Sequence, residues 1–261
     1  MAMKLTALLF DADGIIAESE DYHRQAFNAA FREFGFPWYW DEAIYRDLLA
    51  VGGGKERLRH YITRTQPEML ERSDLYSLID SMHAAKNLAY ADMLEDAGIA
   101  WRPGVARLMK EAREAGLRLA IVTATTESNL RALFKATLGL ETLSWFEVVV
   151  SGDKVPTKKP APDIYYWVLQ EMSLPADACL SIEDSPKGLQ ACAVARVPAI
   201  VTVSAYTTGE DFTGAVAVIS DLGEPGKPFK LLMGDAHGHN HVTVELLRLW
   251  HAEGQKILGV A

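Results

Sequence analysis

Cysteine is scarce in this chain, with two residues, Cys179 and Cys192, among 261. Both sit in apolar runs. No disulfide framework is available, and both are expected to be small buried hydrophobes in a reducing compartment. Long apolar runs are missing too. None reaches the roughly eighteen residues that a membrane-spanning helix needs, so no membrane partner is expected. The first strand-like run begins almost at once, no secretion leader is expected, and the expected location is cytoplasmic. Positive charge is in deficit: 26 Lys and Arg stand against 35 Asp and Glu, a net charge of −9. That balance excludes nucleic acid as the main partner, because no basic patch can neutralise a phosphate backbone. A small phosphorylated substrate stays open, since a few local cations suffice for it.

What is present is ordinary globular composition, 49% apolar and 23% charged. The length holds one large α/β domain, or a core with a smaller inserted domain. Strand-like apolar runs fall at 5–10, 117–123, 146–150, 178–183, 199–203 and 215–219. Helical periodicity at 105–115 and 128–138 makes βαβ units and hence a parallel sheet. Between the first run and the second the pattern is helical throughout, at 22–34, 41–49, 55–65 and 75–94. The expected fold class is therefore α/β: a Rossmann-like parallel-sheet core from residues 1–17 and 98–234, with 18–97 as an inserted all-helical domain. The connections near Ala17-Glu18 and Gly98-Ile99-Ala100 are expected to act as hinges. Residues 235–261 form a tail with a short amphipathic helix, in which Val242, Leu246, Leu249 and Trp250 share one face for docking on the core or on another subunit. Before that helix, His237, His239 and His241 are either a metal group or a flexible solvated run.

The chemistry gathers at strand ends. Phe10-Asp11-Ala12-Asp13-Gly14 puts two carboxylates two residues apart where a buried strand meets the ligand-binding crevice of an open α/β sheet. Two acids so close ask for a divalent cation, a shared proton, or both. Asp11 is the candidate nucleophile, a carboxylate that attacks phosphorus and splits one hard displacement into two easier ones. Asp13 is placed to protonate the leaving alkoxide and then to deprotonate water. Thr123 opens Thr123-Ala124-Thr125-Thr126, where a hydroxyl and backbone N–H groups before a helix can cradle a phosphoryl group. In Lys158-Lys159-Pro160-Ala161-Pro162 two prolines stiffen the loop that presents a lysine to phosphate charge. Glu183-Asp184 repeats the acid pair at another strand end, and hard oxygen donors suit octahedral Mg²⁺. In the helical block, Gly52-Gly53-Gly54 followed by Lys55 and Arg57 is a second candidate anion site.

Nucleophile with its acid, hydroxyl, lysine and acidic metal pair, in that order, resemble the haloacid dehalogenase superfamily of phosphotransferases, over residues from about 5 to 222. The inserted helices match members with a helical cap between the first and second motifs. The resemblance implies Asp11 as nucleophile, Asp13 as general acid/base, and Thr123 and Lys159 as phosphoryl-binding, with Ala124 and Thr125 in the same loop. It implies Mg²⁺ on a carboxylate oxygen of Asp11, the main-chain carbonyl of Asp13, and Asp184, with Glu183 a ligand or an acid behind the ligands. An acid at position 13 separates the chain from dehalogenase and phosphonatase members, which lack one there. Ile15 departs from the commonest phosphatase pattern, which has Thr; Ile15-Ile16 looks more like the Val-Ile of β-phosphoglucomutase-type members. Trp38-Tyr39-Trp40-Asp41, Tyr45-Arg46-Asp47-Leu48-Leu49 and the glycine run look like the CbbY-type sugar bisphosphate phosphatases, which remove the 1-phosphate of xylulose-1,5-bisphosphate. On that resemblance Glu18, His23, Tyr45, Gly53, Gly54, Lys55 and Arg57 would hold the sugar and its distal phosphate. The implied protein is a Mg²⁺-dependent sugar phosphatase, monomer or dimer, with a sugar phosphomutase as the alternative.

Overall fold

The computed structural model describes residues 3–259. Apolar runs buried on both faces become parallel strands: β1 (Ala7–Phe10), β2 (Arg118–Val122), β3 (Val148–Val150), β4 (Cys179–Glu183), β5 (Ala199–Thr202) and β6 (Val218–Ile219). A last strand, β7 (Leu231–Met233), pairs antiparallel with β6. The seven-stranded order is β3-β2-β1-β4-β5-β6-β7. After β1 the chain builds outward through β2 and β3, then returns to lay β4 on the other side of β1. The end of β1 is thus the switch point at which such sheets bind ligands.

Helices α1 (Glu20–Glu33), α2 (Glu42–Leu48), α3 (Gly54–Thr65) and α4 (Leu75–Ala97) all fall between β1 and β2. They close on their own aromatic cluster, in which Phe27, Phe31, Trp38, Trp40 and Tyr45 meet and Tyr206 joins from the sheet side. Helices α5 (Val105–Glu114), α6 (Glu127–Ala136), α7 (Asp163–Met172), α8 (Pro186–Ala195) and α9 (Val244–Ile257) cover the sheet. Period-two alternation divides the strand side chains between them. Leu8 and Phe10 pack with α5, α6 and α9, while Ala7 and Leu9 pack with α7 and α8. Cys179 and Cys192 are free and buried in that second layer.

Three expectations change. The run 215–219 pairs as a strand only at Val218–Ile219, and β7 arises at 231–233, where no strand-like run is expected. All three β7 residues are exposed, so no alternation announces the strand. The terminal helix docks on the core, but Leu249 is 40% exposed and Leu247 takes its place beside Leu246 and Trp250. His237 pairs with Glu253 at 2.9 Å. His239 and His241 make bonds to Thr243 and Asn240, and among the described residues the three histidines form no metal group. No described helix is long and apolar enough to cross a membrane.

Candidate active site

Strand register brings the predicted residues level. Phe10 lies opposite both Ile121 and Ile182, so Asp11 stands beside Val122 and Glu183, with Thr123 and Asp184 one step on. Asp11 Oδ1 accepts the Ala12 N–H at 2.7 Å and Oδ2 accepts Lys159 Nζ at 2.9 Å. Lys159 spends its other donors on Glu183 Oε1 at 2.7 Å and Val122 O at 2.8 Å, so all three N–H groups are engaged. Burial works against its charge, yet Asp11 and Glu183 outweigh burial and raise its pKa. Lys158 is turned elsewhere, onto the carbonyls of Gly152 and Val155.

The acids behind this lysine lack matching positive charge. Burial, against the pull of Lys159, pushes the Glu183 carboxyl up to about 7. Asp184 is pushed well above the usual carboxylate range by burial and by Asp11, Glu20 and Glu183. No hydrogen bond within the described residues holds Asp184. Asp11, Glu183 and Asp184 each offer an oxygen within 4.8 Å of the others. Three buried acids, hard donors with one lysine among them, fit a divalent cation such as Mg²⁺.

Asp13 belongs to a chain of contacts from the helical insertion. Ser19 Oγ donates to Asp13 Oδ1 at 2.5 Å, and His23 Nε2 lies 3.2 Å from the same oxygen. Lys86 Nζ approaches His23 Nδ1 at 2.6 Å. A charged Lys86 only donates, which puts the imidazole proton on Nε2, facing Asp13. Burial pushes the Asp13 carboxyl up, but His23, Ser19 and Lys86 together hold it below the usual value. Lys86 is itself pushed down to about 7 by burial. Sequence reasoning missed Lys86 and His83, although polar residues on the buried stripe of α4, between Ile79, Met82 and Tyr90, were a visible anomaly.

The insertion and the sheet enclose a cavity of about 950 Å³, lined by Asp11, Asp13, Thr123, Lys159 and Asp184 below and by Arg57 above. Ala124 and Thr125 line it beside Thr123; Gly53, Gly54, Lys55 and His23 line it from the insertion. A Cβ on Gly52 would lie 2.3 Å from Lys159 O, so the glycine run lets the insertion close directly onto the lysine loop. Arg57 is buried, gives one terminal nitrogen to Tyr45 Oη at 2.8 Å, and leaves Nε with no partner. Among the described residues no carboxylate pairs with it. Lys55 is different: it is half-exposed and paired with Asp80 at 2.7 Å.

Two expectations are corrected. Glu18 does not line the cavity; its carboxylate faces Arg102 and accepts the Ala205 N–H. Glu20, two residues further on and the first residue of α1, lines the cavity instead. Tyr45 is fully buried in the insertion's aromatic cluster and reaches the site only through its hydroxyl, which donates to Glu20 at 2.9 Å.

His83 gives the site an acid response. Burial, with Lys86 and Lys55 adding to it, pushes its pKa from 6.5 down to about 3. The unfolded chain takes up this proton first, so stability is expected to fall as pH drops from 6.5 toward 3. The slope approaches ~1.4 kcal/mol per pH unit for this one group. Urea unfolding at about pH 7 and about pH 4.5 checks it. His83→Gln should lose less stability on acidification than wild type; equal losses would remove His83 from the response.

A family model described as haloacid dehalogenase-like hydrolase matches residues 8–202. The CbbY protein (plasmid) of Cupriavidus necator is 43% identical over 247 residues, covering 95% of this chain and 97% of that protein. The crystal structure of CbbY from Rhodobacter sphaeroides in complex with phosphate gives a TM-score of 0.77 at 39% identity, over 85% of this chain and 96% of that one. A mutant of that protein in complex with xylulose-1,5-bisphosphate gives 0.78 at 39% identity, over 85% and 96%. A β-phosphoglucomutase of Clostridium difficile, at 19% identity and TM-score 0.69 over 83% of this chain and 91% of that one, shares the fold. The chain therefore belongs to the haloacid dehalogenase-like hydrolases, where it is a phosphatase-type enzyme standing with the CbbY proteins.

Proposed function

We propose that the chain is a Mg²⁺-dependent phosphatase of a small sugar bisphosphate, with xylulose-1,5-bisphosphate as the leading candidate. One observation carries the reading: a single cavity holds the Asp11–Lys159–Asp184 cluster at one side and, at the other, the Arg57 guanidinium, whose Nε has no partner and with which no described carboxylate pairs. Two anion-binding ends suit a substrate with two phosphates, and a mutant of the CbbY of Rhodobacter sphaeroides has been crystallised in complex with one such sugar.

In this reading an Asp11 oxygen attacks phosphorus, forming the aspartyl-phosphate O–P bond as the ester P–O bond breaks. Asp13 delivers a proton to the leaving alkoxide, then takes one from the water that attacks the aspartyl-phosphate and restores Asp11. The closed site holds Asp13 as the carboxylate, the form needed for the second half. The negative charge of an arriving phosphate ester raises its proton affinity for the first. Thr123 and the N–H groups of 124–125 receive the phosphoryl oxygens. Lys159, with every donor already engaged, shifts from Asp11 to phosphoryl oxygen as that carboxylate becomes esterified. Bound at Asp11, Asp184 and the Asp13 carbonyl, Mg²⁺ would neutralise charge between nucleophile and phosphate.

The test is Mg²⁺-dependent phosphate release from xylulose-1,5-bisphosphate against a panel of sugar monophosphates and p-nitrophenyl phosphate. Preference for the bisphosphate is expected. Arg57→Ala should raise its KM by about 10- to 100-fold, the worth of a lost charged hydrogen bond, and leave p-nitrophenyl phosphate nearly unaffected. Lys55→Ala should do much less, because an exposed pair is worth little. Equal effects of Arg57→Ala on both substrates would remove the second anion site. Isomerised sugar without free phosphate would replace hydrolysis by a mutase reaction.

A further inference from the structure

Arg102 stands where the chain re-enters the core after the insertion, and it is buried. A guanidinium carries five N–H donors, and here the four on the terminal nitrogens each have an acceptor, while Nε faces a carboxylate as an ion pair. Nε faces Glu18 Oε1 at 3.3 Å. One terminal nitrogen donates to Gly14 O and to Thr202 Oγ1 at 3.1 Å. The other donates to Val203 O at 2.6 Å and to Ser220 O. The Arg102 backbone N–H adds a bond to Ile16 O at 2.9 Å.

These contacts join three parts of the molecule. Gly14 and Ile16 belong to the loop that carries Asp11 and Asp13. Thr202 ends β5, Val203 follows it, and Ser220 follows β6, so they move with the sheet. Glu18 is the first residue of the insertion's linker. Gly14 is held from two sides: Arg102 binds its carbonyl, and a Cβ on its α-carbon would lie 2.0 Å from Asp184 Oδ2. The adjoining Asp13–Gly14 peptide, which carries the Asp13 carbonyl, is thereby fixed against the acid cluster. The Glu18 contact is of another kind. Its side chain is 45% exposed, and such pairs break at small cost.

We propose that Arg102 is a positioning residue for the phosphatase reaction: it fastens the 11–17 loop to the ends of β5 and β6, so that the Asp13 main chain and its carbonyl keep their place while the insertion, which holds the Asp13 carboxylate through Ser19 and His23, swings from Glu18 outward. This rests on the phosphatase reading, in which Asp13 supplies both a proton-transfer carboxylate and a metal-binding carbonyl. A catalytic loop hung only from the insertion would shift with each opening, and displacement of about 1 Å is enough to cost roughly 100-fold in rate.

Arg102→Met keeps most of the side-chain length and removes all five donors. Its kcat is expected to fall about 10- to 100-fold for p-nitrophenyl phosphate and for the bisphosphate alike, with KM within about threefold of wild type. Calorimetric titration of the metal-free protein with Mn²⁺ should show affinity weakened roughly tenfold, as for other groups that orient metal ligands. Arg107→Met is the comparison for losing a purely structural arginine: Arg107 holds Gly223 O and Val242 O at 2.8 Å, away from the site. It should lower stability and leave kcat and Mn²⁺ affinity unchanged. Should Arg102→Met not fold, Arg102→Lys keeps the buried charge but not the planar fork, and is expected to show the same split in smaller measure. A folded Arg102 variant with wild-type kcat and Mn²⁺ affinity would overturn the proposal. Failure of the wild type to release phosphate from any substrate would overturn the phosphatase reading instead, and the Mn²⁺ comparison would still decide the role of Arg102.

Discussion

Asp11→Asn is expected to take turnover to the background of the assay, a fall on the order of 10⁴-fold or more, in a protein that stays folded. The amide matches the carboxylate in shape and still accepts the Ala12 N–H. It offers no nucleophilic oxygen anion, so no aspartyl-phosphate forms and rapid-quench experiments should find no acid-stable, hydroxylamine-sensitive phosphoprotein. Stability should change little. The variant removes one favourable contact with Lys159, but also the repulsion that Asp11 exerts on Glu183 and Asp184. Appreciable turnover by Asp11→Asn would end the covalent mechanism, and the rest of the site would have to be reinterpreted around direct attack by water.

Lys159→Met should produce the largest loss of stability of any single change at the site. The ammonium is buried between Asp11 and Glu183, and its side chain is 1% exposed. Removing one partner of a buried ion pair typically costs about 3–5 kcal/mol, because the remaining charges are left without compensation. In a chain of this size that is a drop on the order of 10 °C in Tm. Urea unfolding of the metal-free protein is the measurement. Mg²⁺ should recover part of the loss, since a cation at the acid cluster replaces some of the missing positive charge, whereas activity should not return. A variant as stable as wild type without metal would mean that Glu183 is held neutral and that the ion pair contributes little.

The strand-end chemistry was legible in the sequence because parallel strands leave little freedom there. Once 5–10, 117–123 and 178–183 are adjacent parallel strands, Asp11, Thr123 and Asp184 have to emerge at one edge. The insertion was less legible. Glu18 and Glu20 are two residues apart, and which of them enters the cavity depends on where the linker ends and α1 begins, a boundary that periodicity does not resolve. Tyr45 reads as a ligand beside the glycine run, yet its ring completes the aromatic cluster. Lys86 is 63 residues from His23 in sequence, so their meeting is a property of α1–α4 packing, not of any local motif. The edge strand β7 left no trace, because a three-residue strand with every side chain exposed shows neither alternation nor burial.

The two linkers of the insertion meet in an antiparallel bridge between Ala17 and Trp101. Departure and return therefore share one doorway, and the strand order of the sheet does not depend on how much chain lies outside. Lengthening or replacing what lies between costs the core little in loop closure, because the bridge closes that loop whatever its contents. The helical block is in this sense a cassette: new residues can be offered to the cavity while Asp11, Thr123, Lys159 and Asp184 keep their places on the sheet side, so long as Ser19 and His23 still reach Asp13. Such an arrangement lets one floor serve substrates of different length and charge, with the choice among them made by the roof.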